Sequence, residues 1–224
     1  MEREISMSRE KLRIAIDGPS GAGKSTIAKK VAEDLSIDYI DTGAMYRAIA
    51  YKILENHIGL EQKEELEALL SHTEVDLQRT KVLLDGKDIS DQIRTPQISK
   101  MASDCSALPQ VREKLVSLQR KMAQEKSVIM DGRDIGTNVL VDAEFKFFLT
   151  ATVEERARRR YKELMEKGQE VSLEQVEEDI RKRDHNDSTR KLNPLRKAED
   201  AIEIDSTLMS IDEVAEKILS IVRR

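Results

Sequence analysis

The sequence predicts an α/β fold, a mainly parallel sheet with helices on both faces. Three observations predict it. Short apolar, β-branched runs alternate with stretches of helical period, and that alternation builds parallel sheets. A glycine-rich segment separates the first such run from the first helix. Of 224 residues, 39% are apolar and 36% charged, too apolar for a disordered chain and too charged for a membrane span.

The elements follow in order. Lys11–Asp17 reads Lys-Leu-Arg-Ile-Ala-Ile-Asp and stops at glycine, as a buried strand does. Lys24–Leu35 sets Ile27, Val31 and Leu35 at steps of four, one face of a helix. Further strands are expected at Ile37–Asp41, Ser127–Asp131, Phe145–Ala151 and Ala201–Asp205. Val111, Leu115, Leu118 and Met122 mark a helix before the third strand. The last helix runs from about Ile211 to Val222, with Asp212 and Glu213 well placed in its first turn.

Two segments break the rhythm. Glu74–Arg94 reads as a strand, a turn and a strand with the hairpin signal Asp85-Gly86. An acidic helix, Glu61–Leu70, precedes it, so the pair looks like an insertion. Glu154–Arg196 is charged and helical and holds Arg156, Arg158, Arg159, Arg160, Arg181, Arg183 and Arg190. Taken alone, it reads as a solvated helix face.

Composition narrows the functional classes. With 38 basic and 43 acidic side chains the formal net charge is −5, against a general nucleic-acid binder. No Trp, four Tyr and three Phe leave no stacking platform for single strands. No apolar run reaches membrane-spanning length, and Met1–Lys11 is polar, unlike a signal peptide. One cysteine, Cys105, reads as a buried thiol in a reducing, cytoplasmic compartment. His57, His72 and His185 are too scattered for a zinc site.

The sharpest signal is Gly18-Pro19-Ser20-Gly21-Ala22-Gly23-Lys24-Ser25-Thr26. It fits the phosphate-loop pattern G-x-x-x-x-G-K-[ST], with a strand before it and a helix after it. Its amides can converge on a phosphate at a helix N-terminus. Lys24 should bridge the β- and γ-phosphates of a nucleoside triphosphate, and the Ser25 hydroxyl should reach Mg²⁺. The loop alone fits a phosphotransferase or a nucleotide switch. No Asn-Lys-x-Asp guanine signature occurs.

A second set of groups favours the phosphotransferase. Asp41-Thr-Gly-Ala-Met-Tyr-Arg47 follows the second strand and Asp131-Gly-Arg-Asp134 the third. Ligands of open parallel sheets bind beyond strand carboxyl ends. Thr42, Arg47, Arg133 and Asp134 are therefore expected in one crevice with Lys24. Tyr46 is a core or a site residue. Arg47 and Arg133 have a surface ion pair as their alternative.

These motifs, with Ile93-Arg-Thr95, Ser103, Val111-Arg-Glu113, Ile135-Gly-Thr137, Arg183-Asp184, Asp187 and Asp205-Ser-Thr207, resemble the bacterial cytidylate kinase family, in order and spacing, over nearly the whole chain. Ser25 stands where many members have glycine, and Thr42 where some have serine; both changes keep or add a hydroxyl. The resemblance implies the three-layer P-loop fold of nucleoside monophosphate kinases, with a parallel five-stranded sheet. It implies one domain with a core (about 11–58, 107–153 and 197–224), an acceptor-binding insertion (about 59–106) and a helical lid (about 154–196). It further implies transfer of the γ-phosphoryl group of ATP to CMP or dCMP with Mg²⁺, by a monomer with no nucleic-acid or membrane partner. UMP or AMP as acceptor is the alternative, with a nucleotide switch behind it.

By matching positions, Arg47, Arg133 and Arg190 would hold the acceptor phosphate. Ser103, Arg112 and Asp134 would read cytosine, and Arg183 and Asp187 would hold the sugar. Thr42 and Tyr46 would complete the acceptor site. Lys24 and Arg133, with Arg159 or Arg160 from the lid, would carry the catalysis. Asp187, beside Asn186, has helix capping as its alternative role.

Overall fold

The computed structural model describes residues 11–78, 81–166 and 168–224; the polar opening segment, residues 1–10, lies outside them. In chain order the elements are β1 (Arg13–Asp17), α1 (Lys24–Leu35), β2 (Asp38–Asp41), α2 (Thr42–Glu55), α3 (Lys63–Ser71), β3 (Val75–Gln78), β4 (Lys81–Leu84), β5 (Lys87–Asp88), α4 (Pro96–Cys105), α5 (Pro109–Glu125), β6 (Val128–Gly132), β7 (Phe145–Thr150), α6 (Val153–Glu166), α7 (Leu173–Thr189), β8 (Ile202–Asp205) and α8 (Ile211–Val222). A single π-helical turn, Ile135–Val139, follows β6.

Five strands form one parallel sheet in the order β2-β6-β1-β7-β8. Alternate residues of a strand face opposite sides, and this chain fills both. Ala15, Val128 and Met130 join Met45 and Ile49 of α2 and Leu115 of α5 on one face. Ile14, Ile16, Ile129, Phe147 and Leu149 join Ile27 and Val31 of α1 and Val214 and Ile218 of α8 on the other. Burial on both faces explains why β1 and β6 read as unbroken apolar runs. A small third cluster, Ala157, Leu164, Val176 and Ile180, joins α6 to α7.

Local signals set the helix ends. Asp41 caps α2 by accepting from the Ala44 amide at 2.8 Å. Thr95 caps α4 ahead of Pro96. Ser210 and Glu213 form a reciprocal capping box on α8. The expected boundaries of α1 and α8 match the structure, and the strands shift by a residue or two.

The 74–94 segment differs from expectation. Asp85-Gly86 turns β4 into a third short strand, β5; it does not join β3 to β4. Both turn residues have positive φ, 50° and 78°, the requirement of a tight hairpin turn that Asp-Gly meets. Leu66, Leu70, Val75, Val82, Leu84 and Ile89 pack into the same buried cluster as α2. Apolar continuity, invisible locally, roots this segment in the core.

Candidate active site

The loops at the carboxyl ends of β1, β2 and β6 open on one cleft of about 890 Å³. One wall is the phosphate loop, residues 20–26. Gly18 lies at its base: a Cβ there would sit 2.0 Å from the Leu149 carbonyl oxygen, and φ is 149°. Gly23 is left-handed (φ 87°) and starts α1 with no side-chain cap, so the first amides of α1 stay free for an anion.

Lys24 Nζ donates to the Pro19 carbonyl at 2.7 Å. Burial, then the nearby Arg133 and Arg183, push its pKa down despite Asp131 and Asp187. A phosphate would relieve that repulsion. Ser25 Oγ donates to Asp131 Oδ2 at 2.8 Å, and Tyr39 Oη to Oδ1 at 2.8 Å. Burial and Asp41 raise the Asp131 carboxyl.

The facing wall carries the arginines. Arg47 pairs with Asp41 at 3.2 Å, and its Nε is buried without a partner. Arg133 Nε donates to Asp187 Oδ2 at 2.7 Å. Arg183 Nε is also buried without a partner. Burial, then Arg133, push the Arg183 pKa down to about 10. Arg160 lines the cleft and pairs with Glu163 at 2.7 Å. Arg159 lines it too, but its donors reach Glu155 and the Ser206 carbonyl, at 3.0 and 2.6 Å. Arg159 therefore braces the loop after β8.

Asp134 anchors a third corner. Its Oδ2 accepts from Arg112 and from Asn138 Nδ2, and its Oδ1 accepts from Arg190 at 3.0 Å. The chain turns at Arg190, just past α7, so Arg190 lines the cleft and its guanidinium meets Asp134. Arg112 is 4% exposed and does not line the cleft. It touches the site through Asp134. Ser99, Ser103 and Ser106 present one face of α4 to the cleft. Tyr46 lines the cleft and packs on the core; burial pushes its hydroxyl up to about 12. Thr42 also lines the cleft, though its hydroxyl donates to the Asp131 carbonyl at 2.7 Å. Asp187 lies inside α7, and its carboxylate faces Arg133 and caps nothing. Cys105 is fully buried, and burial pushes its thiol up to about 12.

The model of the cytidylate kinase family matches residues 14–224. The chain belongs to the cytidylate kinase family. It is 54% identical over 213 residues to the cytidylate kinase of Caldanaerobacter subterraneus subsp. tengcongensis, covering 95% of each chain. Against that of Halalkalibacterium halodurans it is 52% identical over 218 residues, covering 96% of this chain and 98% of the relative. A solved structure of an uncharacterized protein from Eubacterium ventriosum has the same fold. Its TM-score is 0.54 at 16% identity, over 96% of this chain and 99% of that one.

In this cytidylate kinase family member four residues outside the expected site bind its parts together. Asp131 receives the Ser25 hydroxyl. Asp17 accepts the Ile135 and Gly136 amides. Arg156, 4% exposed, donates to the Ser20 carbonyl at 3.0 Å and to Asp184 at 2.6 Å. Ser206 Oγ donates to the Thr150 carbonyl at 3.1 Å. Asp131 and Asp17 were findable, since each ends a strand beside a motif. Arg156 sat unmarked among other arginines.

Asp187→Asn gives a graded test here. Burial pushes the Asp187 carboxyl up, but Arg133 and Arg183 outweigh it and hold it below the usual range. The amide keeps an acceptor for Arg133 and loses the charge. The acceptor KM is expected to rise about tenfold, with the ATP KM unchanged, because the hydrogen bond survives but loses its charge assistance, a cost at the lower end of the roughly 1.5–3 kcal/mol of a charged hydrogen bond. Steady-state titration of each substrate checks it. An unchanged acceptor KM with a lower melting temperature would make Asp187 purely structural.

Proposed function

We propose that the protein transfers the γ-phosphoryl group of ATP to CMP or dCMP, giving ADP and CDP or dCDP. One observation carries the reading. A phosphate loop and a cluster of cations, Lys24, Arg47, Arg133, Arg160 and Arg183, share one cleft beside the arginine-held Asp134. Two of those cations, Lys24 and Arg183, have their pKa depressed by burial and then by the nearby Arg133. Such a site waits for two polyanions.

The nucleophile is an oxygen of the acceptor phosphate, already ionised near neutral pH. No general base is needed. Arg47, Arg133 and Arg183 orient that phosphate in line with the γ-phosphorus. Attack breaks the bond to the bridging oxygen, and ADP leaves with the electron pair. Lys24 and the loop amides neutralise the charge that spreads over the transferring group. Arg160 suits contact with that group better than Arg159, whose donors are engaged with Ser206. Orienting two bound reactants accounts for roughly 7–11 kcal/mol of barrier.

Ser25 and Asp131 fit a hard divalent cation, since both offer oxygen and the buried carboxylate has no cationic partner in direct contact among the described residues. Bound there, Mg²⁺ would supply charge neutralisation on the β- and γ-phosphates. We assign residues 59–106 to the acceptor side and 154–196 to a lid that excludes water.

The test is ADP formation with ATP and each of CMP, dCMP, UMP, AMP and GMP. CMP or dCMP should turn over fastest, and excess EDTA should abolish turnover until Mg²⁺ is restored. Faster turnover of UMP or AMP would overturn the cytidine assignment. ADP formation independent of any acceptor would overturn the kinase mechanism.

A further inference from the structure

We propose that Asp17 is a positioning residue for acceptor-base choice: it caps the turn after β6 and so frees the Asp134 carboxylate to face the cleft. The inference rests on the reading that Asp134 reads the base. Asp134 stands at the N-cap of the π-helical turn, where an aspartate normally folds its carboxylate onto the amides two or three residues on. It makes no such bond. One of those two amides is already taken: Asp17 Oδ2 accepts from Gly136 at 2.7 Å, and Asp17 Oδ1 accepts from the preceding amide, Ile135, at 2.8 Å. The cap thus comes from β1, 118 residues away. Asp134 turns instead to Arg112, Arg190 and Asn138.

The cap is buried and closely packed. Asp17 is 4% exposed. A Cβ on Gly136 would lie 3.4 Å from Asp17 Oδ2 and 3.2 Å from Lys146 Cδ, so the turn sits hard against both side chains. Burial pushes the Asp17 carboxyl up to about 6, while the two amides oppose that rise. Asp17 also directly precedes Gly18. One side chain therefore ties the donor loop to the acceptor loop.

The experiment is kcat/KM for CMP and UMP, with ATP, in wild type, Asp17→Asn, Asp134→Ala and the double variant. Asparagine has one acceptor oxygen and would turn its NH2 toward an amide N–H, so one cap bond is lost. Asp17→Asn is expected to raise the CMP KM about tenfold and to lower the CMP/UMP ratio about tenfold, the scale of one lost buried hydrogen bond. The ATP KM should stay within about twofold. In the double variant Asp17→Asn should not change the ratio beyond Asp134→Ala alone, because residues acting through one group are non-additive. A purely structural role would lower turnover of both acceptors alike and leave the ratio intact, which overturns the inference. If Asp134→Ala itself leaves the ratio unchanged, the base reading fails instead. Asp17→Ser, which accepts one amide, is the second variant. Failure of both Asp17 variants to fold would make Asp17 a stability residue and also overturn the inference.

Discussion

Lys24→Ala is expected to lower kcat by about 10²–10³-fold, the cost of removing one electrostatic donor from a transferring group. The acceptor KM should change little. The cause lies in the geometry. Lys24 Nζ is buried at the base of the cleft and, among the described residues, hydrogen-bonds only a loop carbonyl, Pro19, at 2.7 Å. No carboxylate among the described residues pairs with it directly. Its charge is thus held ready for phosphate, and burial with Arg133 and Arg183 nearby already strains the charged form. Truncation relieves that strain in the free protein, so the fold should tolerate the change. Single-turnover rates and melting temperatures measure the two effects separately. Turnover near wild type would remove the phosphate loop from the mechanism.

Asp134→Ala is expected to collapse the preference for CMP over UMP. The carboxylate has roughly four acceptor directions; Arg112, Asn138 and Arg190 use three. The remaining one can accept from the cytosine N4 amino group. Uracil would present O4 lone pairs to it, and an N3–H where cytosine has an acceptor. At roughly 1–3 kcal/mol per unsatisfied buried group, two mismatches give about 30-fold to 10⁴-fold discrimination. Wild type should show at least the lower figure, and the variant should lose it mainly through CMP. Losing the carboxylate also strands Arg112, 4% exposed, and breaking such a buried pair costs roughly 3–5 kcal/mol. Asp134→Asn, which keeps an acceptor but adds a donor, is therefore measured alongside. An equal fall for both acceptors would mean that Asp134 only holds Arg112 and Arg190 in place.

Much of the site was legible because its signals are local. The phosphate loop needs glycines, a lysine and a hydroxyl at fixed spacing between a strand and a helix. Asp41 caps α2 three residues before Ala44 and pairs with Arg47 six residues on. The boundaries of α1 and α8 came from apolar residues at steps of three and four. The π-helical turn was not legible, since its register depends on Asp17 at the far end of the chain.

The sequence by itself determined the α/β order, the phosphate loop and the strand-end positions of Arg47, Arg133 and Asp134, because each rests on contacts within about ten residues. Only the tertiary structure decided which charge meets which: Arg112 and Arg190 with Asp134, Arg133 with Asp187, and Arg156 with Ser20 and Asp184. Apart from Arg156–Asp184, at 28 residues, and Arg112–Asp134, at 22, these partners stand 54 to 136 residues apart. With 38 basic and 43 acidic side chains in the chain, spacing cannot choose among the possible pairs. Coulomb attraction acts through distance in space, and that distance is set by how the sheet orders its strands.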